Sequence, residues 1–160
     1  MSATPGRIGA LAGVAVLGLS VSAAGAPPEK QAAAATTYHC VGFDEPIRND
    51  MQVAKGRVLP LRAKLATDSG GFADQTVVKA APKVRVFFVP ESGEVDRTDQ
   101  IDVRDYGNGT SFVWDAEAHW KFDLGTLKFA DMGKYRAVLL SGDDAAYRVE
   151  PTCQVTFVLR

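Results

Sequence analysis

The chain has 160 residues, of which 46% are hydrophobic and 23% charged, and its formal net charge at pH 7 is −1. A near-neutral chain whose charges of both signs are interspersed lacks the basic face that a nucleic-acid partner requires. It also lacks the cluster of Lys and Arg that would attach it to anionic lipid. Both partner classes are therefore disfavoured.

The first 24 residues have the pattern of a secretory signal peptide. Arg7 is the only charge before an apolar run from Ile8 to Val21, and small residues follow from Ser22 to Ala26. We place the cleavage after Ala24. No later apolar run is long enough to cross a bilayer, so membrane insertion of the mature chain is not expected. The sequence thus predicts an exported protein, periplasmic or extracellular.

The remaining residues form two parts. Loss of Arg7 from the 18 basic residues leaves 17 against 19 acidic ones, a net charge of −2. Residues 25–36 are small and Pro-bearing, without an apolar face, and are predicted to be a flexible tether. Residues 37–160 have the length of one domain.

The domain is predicted to be all-β, because short β-prone runs alternate with turn residues and no long helical pattern occurs. About seven such strands at this spacing are typical of an immunoglobulin-like two-sheet β-sandwich. In chain order they are residues 38–43, 58–65, 84–89, 110–115, 119–124, 135–140 and 152–159. In the second, Leu59, Leu61, Ala63 and Leu65 are expected in the core, and Pro60, Arg62 and Lys64 on the opposite face.

Tyr135 follows a glycine turn and opens a late strand. This arrangement is typical of the tyrosine corner of immunoglobulin-like sandwiches, in which the phenol bonds to nearby backbone. We therefore expect Tyr135 to be buried, with its hydroxyl on a main-chain group. An ordinary strand-opening tyrosine is the alternative.

The run Lys55-Gly56-Arg57-Val58-Leu59-Pro60-Leu61-Arg62-Ala63-Lys64-Leu65, with Asp68 and Gly70 after it, resembles the signature of the bacterial extracellular PxKF domain. Phe112-Val113-Trp114 and the closing segment from Gly133 to Leu159 extend the resemblance. The family's Lys is replaced by Arg62 and its Phe by Ala63, so Phe112, Trp114 or Trp120 must fill the lost volume. The resemblance implies an immunoglobulin-like module of exported proteins without catalytic residues.

Cys40 and Cys153 lie near the first and last strands of the predicted domain. Because disulfides persist outside the cytoplasm, we expect them to be bonded to each other. The alternative, a metal site that uses His39 and Cys40, would need a further soft ligand, and only His119 and two Met residues remain. No cofactor or metal is therefore expected.

Other polar residues have simpler interpretations than chemistry. His39 and His119 stand in no nucleophile or zinc motif, so no catalytic residue is assigned. Asp96, Asp99, Asp102 and Asp105 recur every third residue without a calcium-loop pattern, and are expected to be solvated. Asn108-Gly109 is interpreted as a hairpin turn rather than a glycosylation site.

These observations favour an exported, non-catalytic binding or structural module whose partner is a protein or a surface glycan. The candidate binding face is Pro60, Arg62 and Lys64, which could accept an acidic partner; solubility of the sheet face is the alternative. Trp114 and Trp120 are expected to point inward rather than to stack on sugars. A small periplasmic enzyme, a metal-handling protein and a secreted inhibitor remain alternatives, and the oligomeric state stays open.

Overall fold

The computed structural model describes residues 35–102 and 109–160. They form ten strands and one 3₁₀ turn, Thr98–Gln100. The strands are β1 Thr36–Phe43, β2 Met51–Val53, β3 Val58–Ala66, β4 Lys83–Phe88, β5 Val95–Asp96, β6 Val113–Trp114, β7 Trp120–Gly125, β8 Gly133–Leu140, β9 Tyr147–Val149 and β10 Gln154–Leu159.

The strands form two five-stranded sheets that pack as a sandwich. Sheet I has the order β6-β7-β3-β1-β9, and sheet II has the order β2-β10-β8-β4-β5. Most neighbours are antiparallel, but β9 runs parallel to β1 and β2 runs parallel to β10. The predicted immunoglobulin-like sandwich is confirmed.

All seven predicted strands are present, and three short strands were not predicted. β2, β5 and β9 contain only two or three residues each, and each lies at the edge of a sheet. Such short segments carry too few residues for a periodic pattern, and pairing with a longer neighbour creates them. Short edge strands also leave little unpaired backbone for association with other chains.

The core follows the alternation of β3. Its residues from Val58 to Ala66 alternate strictly between buried odd-numbered positions and more exposed even-numbered ones. Leu61, Ala63 and Leu65 are completely buried, as predicted. The large core side chains from the other strands and loops include Phe112, Trp120, Phe122, Phe129, Tyr135 and Phe157.

Trp120 occupies the position expected of a residue that compensates for Ala63. The two stand directly opposite each other in the β3–β7 register. Trp120 is 2% exposed, and its indole N–H donates a hydrogen bond of 3.0 Å to the Ala73 carbonyl. Trp114 packs edge-on against Trp120 with ring centroids 5.2 Å apart and is partly buried. The prediction that both indoles point inward is thus confirmed fully for Trp120 and in part for Trp114.

The prediction of a solvated acidic segment is wrong at Asp102. Its side chain is 8% exposed, and one carboxylate oxygen lies 3.3 Å from Lys128 Nζ. Asp102 also forms an isolated antiparallel β-bridge with Gly125. The two backbones are so close that a Cβ on Gly125 would lie 2.7 Å from the Asp102 carbonyl oxygen. This approach to a distant strand buries the carboxylate, and a regular spacing of Asp residues cannot reveal it.

The other acidic positions of this row differ from Asp102. Asp96 and Asp99 are exposed. Partial burial opposes ionisation of Asp96, but the Thr98 hydroxyl and the Arg85 guanidinium outweigh it and lower its pKa to about 2. Asp105, the hairpin turn predicted at Asn108, the predicted signal peptide and the predicted tether up to residue 34 lie outside the described residues. Within the described ranges, no helix is long and apolar enough to cross a membrane.

Cys40 and Cys153 are bonded to each other, as predicted, with Cα atoms 5.2 Å apart. Cys40 belongs to β1 of sheet I, whereas Cys153 directly precedes β10 of sheet II. Backbone hydrogen bonds flank the bridge, from Cys40 N–H to the Pro151 carbonyl and from Leu139 N–H to the Cys153 carbonyl. The disulfide therefore joins the two sheets at one end of the sandwich.

Tyr135 forms the predicted tyrosine corner. It is completely buried, and its hydroxyl donates a 2.8 Å hydrogen bond to the Asp131 carbonyl. Its ring stacks between Phe129 and Phe157, with centroid distances of 4.8 and 5.5 Å. In antibody domains a disulfide cysteine stands two residues after this tyrosine. Here that position is Ala137, so packing replaces the central disulfide.

We expect Tyr135→Phe to lower the free energy of unfolding by about 1 kcal/mol, because it leaves the Asp131 carbonyl without its donor while keeping the ring. Urea denaturation followed by tryptophan fluorescence measures the change. Tyr38→Phe is the control, since Tyr38 is also buried and has no hydroxyl hydrogen bond among the described residues. Equal stabilities for wild type and Tyr135→Phe would contradict the assignment.

The double substitution Cys40→Ser, Cys153→Ser should lower the free energy of unfolding by about 4 kcal/mol. The bridge closes a loop with a sequence separation of 113 residues, and so restricts the unfolded chain strongly. Denaturation with and without dithiothreitol checks this. Reductant should destabilise the wild type and leave the double variant unchanged. Two free thiols in the unreduced wild type would refute the pairing.

Candidate functional site

The outer face of sheet I carries the candidate binding residues. Pro60, Arg62 and Lys64 are the even-numbered residues of β3, and all three side chains lie on the solvent side, as predicted. Val41 lies on the same face of the neighbouring strand β1 and is 68% exposed. Phe72, which bridges to Ala66 at the end of β3, is 54% exposed. We call these five residues the outer-face patch.

The cations of the patch differ in their partners. Arg62 donates a hydrogen bond of 2.5 Å to Glu117, and its side chain is 37% exposed. Lys64 instead lies over the Phe72 ring, with Nζ 5.3 Å from the ring centroid. Within residues 35–102 and 109–160, no carboxylate stands within ion-pair distance of Lys64. A cation over an exposed aromatic ring, free of an internal counter-ion, can take an external anion.

His39 lies beside the patch and connects three parts of the chain. One ring nitrogen, Nδ1, bonds the Glu150 carbonyl, and Nε2 lies 2.5 Å from Asp68 Oδ1. Both partners are acceptors, so both contacts are hydrogen bonds only when the ring carries two protons. The hydrogen bond to Asp68, followed by that to Glu150, raises the pKa of His39 above 6.5. His39 thus ties the end of β9 to the turn after β3.

A second polar group lies in the loop that joins β6 to β7. Asp115 Oδ1 accepts hydrogen bonds from the backbone N–H groups of Glu117 and His119, at 3.0 and 2.9 Å, and so shapes the loop. Asp115, Glu117 and His119 each offer a ligand atom, and these atoms lie within 4.8 Å of one another. This group was not predicted from the sequence. The Asp-x-Glu-x-His spacing was its only sequence signal.

Asp44 completes this second group from a distant part of the chain. Its Oδ2 lies 3.0 Å from His119 Nε2, and the His119 side chain is only 15% exposed. The Asp44 backbone N–H is held by the Arg62 carbonyl at 2.8 Å. The histidine is thereby fixed between two loops. No sequence pattern links Asp44 to His119, because the residues are brought together by the pairing of β1, β3 and β7.

Neither histidine contacts a nucleophile in the described part of the chain. The partners of His39 are Asp68 and Glu150, and those of His119 are Asp44 and Asp115. Serine and threonine hydroxyls are absent from both sets. These arrangements can hold charge and accept protons or cations, but they do not form the nucleophile–base pair of a covalent hydrolase.

No protein-family model matches the chain, and neither does any curated protein sequence. Among solved structures, the chain is similar to the RIG-5 IG1 homodimer at 12% identity and a TM-score of 0.32, covering 74% of this chain and 94% of that one. It is similar to the Lin-41 filamin domain at 15% identity and a TM-score of 0.34, covering 76% of this chain and 89% of that one. It is similar to Dpr1 IG1 bound to DIP-eta IG1 at 18% identity and a TM-score of 0.29, covering 73% of this chain and 90% of that one. These values are too low for a function to be transferred.

We expect the stabilising effect of His39 to be complete below about pH 6.5 and to be lost as the pH rises through its raised folded-state pKa. Urea midpoints measured from pH 5 to 9 should therefore decline over that range more steeply for wild type than for His39→Gln. Asp68→Asn should flatten the decline in the same way. An identical pH profile for wild type and His39→Gln would show that the two hydrogen bonds do not depend on the ring's charge.

Proposed function

We propose that this chain is an exported, non-catalytic binding module of the PxKF type that recognises a carboxylate-bearing protein or surface glycan. The observation that carries the proposal is the Lys64–Phe72 pair. It presents an exposed ring, on a solvent-facing sheet, beside a cation that has no carboxylate partner among residues 35–102 and 109–160. The resemblance around Pro60 and Arg62 supports the assignment to the PxKF type.

The composition of the outer-face patch supports an acidic partner. Val41 and Phe72 provide apolar contact area, and Lys64 provides a positive charge next to it. Arg62 can exchange Glu117 for an external carboxylate, because an exposed ion pair contributes only about 0–1 kcal/mol. Glycans and proteins both present carboxylates, so the same chemistry serves either partner.

Export is supported by the disulfide and by the sequence of the first 24 residues. A bridge between the two sheets is retained only where thiols are not kept reduced. The signal-peptide pattern supplies a route to such a compartment. We accordingly assign the module to the periplasm or the medium.

The absence of catalysis is proposed from the surroundings of the polar side chains. Each histidine of the described chain is bonded to carboxylates or carbonyls rather than to a hydroxyl or thiol. A binding module needs a stable display surface, and the two tightly packed sheets provide it.

We expect the chain to bind polygalacturonate and poly-L-glutamate at low ionic strength, and neutral dextran not at all. Lys64→Ala and Phe72→Ala should each weaken binding about fivefold, which corresponds to the loss of about 1 kcal/mol from one exposed contact. Biolayer interferometry with each immobilised polymer measures the affinities. Raising the salt concentration should weaken binding, because the charges are exposed.

The matched control is Lys55→Ala. It removes the same charge from an exposed turn, where the Lys55 backbone N–H donates a hydrogen bond to the Arg160 carbonyl. A reduction in affinity as large as that of Lys64→Ala would show nonspecific attraction rather than a site. No binding to either acidic polymer would refute the proposed ligand class.

A further inference from the structure

The buried Nδ1 atom of His119 has no hydrogen-bond partner in the described part of the chain. Among the buried side-chain nitrogen and oxygen atoms of the described residues, Nδ1 of His119 alone has none. Its closest charged neighbour, Asp115 Oδ1, is 3.7 Å away, which is too far for a hydrogen bond. A buried polar atom left in this way is costly unless something occupies the space beside it.

The other ring nitrogen determines the state of Nδ1. Nε2 lies 3.0 Å from Asp44 Oδ2, and a carboxylate can only accept, so the Nε2 proton is directed to Asp44. In the neutral ring, Nδ1 then carries the lone pair. Asp115 Oδ1 lies 3.7 Å from Nδ1, and Asp115, Glu117 and His119 each offer one ligand atom within 4.8 Å of the others. Three electron-rich atoms at this separation repel one another unless a cation lies between them.

We propose that Asp115, Glu117 and His119 bind a divalent transition-metal ion of the Zn²⁺ class. One imidazole nitrogen and two carboxylates form a donor set that such ions accept, whereas Mg²⁺ and Ca²⁺ prefer oxygen alone. Asp44 is the outer partner that orients the histidine, an arrangement common at zinc sites. None of the three ligand residues belongs to the outer-face patch, and Arg62 of the patch contacts the site through Glu117.

Arg62 opposes the metal. Its guanidinium binds Glu117 Oε2 at 2.5 Å, and it therefore places a positive charge next to one of the three ligands. A bound cation must share Glu117 with Arg62 or displace it. Removal of the Arg62 charge should consequently strengthen metal binding. It should instead weaken binding at any site whose geometry depends on the ordered Arg62–Glu117 ion pair.

The test is isothermal titration of the dialysed full-length chain with ZnCl₂, repeated with CoCl₂ and CaCl₂. One Zn²⁺ per chain is expected, Co²⁺ should give d–d absorption bands, and Ca²⁺ should give no heat at the same concentration. His119→Gln and Glu117→Gln should weaken Zn²⁺ binding at least about tenfold, and Asp44→Asn about tenfold. Arg62→Gln should strengthen it about threefold.

The matched control is His39→Gln, which removes the chain's other histidine together with its Asp68 contact. Its Zn²⁺ affinity should equal that of wild type. Long-range ¹H–¹⁵N spectra of His119 give a second readout that does not depend on how well the variants fold. The metal-free ring should carry its proton on Nε2, and Zn²⁺ should shift the Nδ1 resonance.

Three results would overturn the proposal. They are the absence of saturable Zn²⁺ binding, a Zn²⁺ affinity that His119→Gln leaves unchanged, and a His119 ring protonated on both nitrogens at pH 8 with no response to Zn²⁺. The last would identify a proton rather than a metal as the cation between Asp44 and Asp115.

Discussion

Strand β3 is paired along both edges, with β1 on one side and β7 on the other. This double pairing fixes its register, because a shift by one residue would bring Arg62 and Lys64 into the core and expose Leu61 and Leu65. The same register places Ala63 opposite Trp120, so a small residue and a large one share the interior. The core of sheet I and the outer-face patch are therefore two results of one constraint.

Aromatic packing and a covalent bond stabilise different parts of the sandwich. Tyr135 of β8 stacks between Phe129 of the β7–β8 loop and Phe157 of the neighbouring strand β10, and Ala137 occupies the position at which antibody domains have a cysteine. At the end, the Cys40–Cys153 bridge joins β1 to the chain entering β10. Close aromatic packing thus holds the interior, while the covalent link restrains the terminal strands, which are otherwise the first to separate.

Arg62 connects the two candidate sites. Its side chain belongs to the outer-face patch, its guanidinium binds Glu117 of the β6–β7 loop, and its carbonyl holds the backbone of Asp44. Asp44 in turn contacts His119. An acidic ligand would engage Arg62 and a metal ion would engage Glu117, so each would break the same ion pair and favour binding of the other. Substitution of Lys64, which lies outside that pair, separates the two activities.

The amino-acid sequence was sufficient for features that depend on local alternation or on a single long-range pair. The period-2 pattern of β3 predicted its buried and exposed faces, and the glycine turn before Tyr135 predicted the tyrosine corner. The two cysteines, which follow a predicted export signal, could pair within the chain only with each other. Each of these features follows from the side chains of one segment, or from a residue that has a single possible partner.

Tertiary structure alone decided the remainder. β2, β5 and β9 are too short to have a period, and they are strands because a longer neighbour pairs with them. Asp102 is buried because Gly125 lets two backbones approach closely. The orientation of His119 depends on Asp44, which is distant along the chain and reaches it only after β1, β3 and β7 have paired. Such contacts arise from the register of the whole sheet, and no local pattern of residues encodes them.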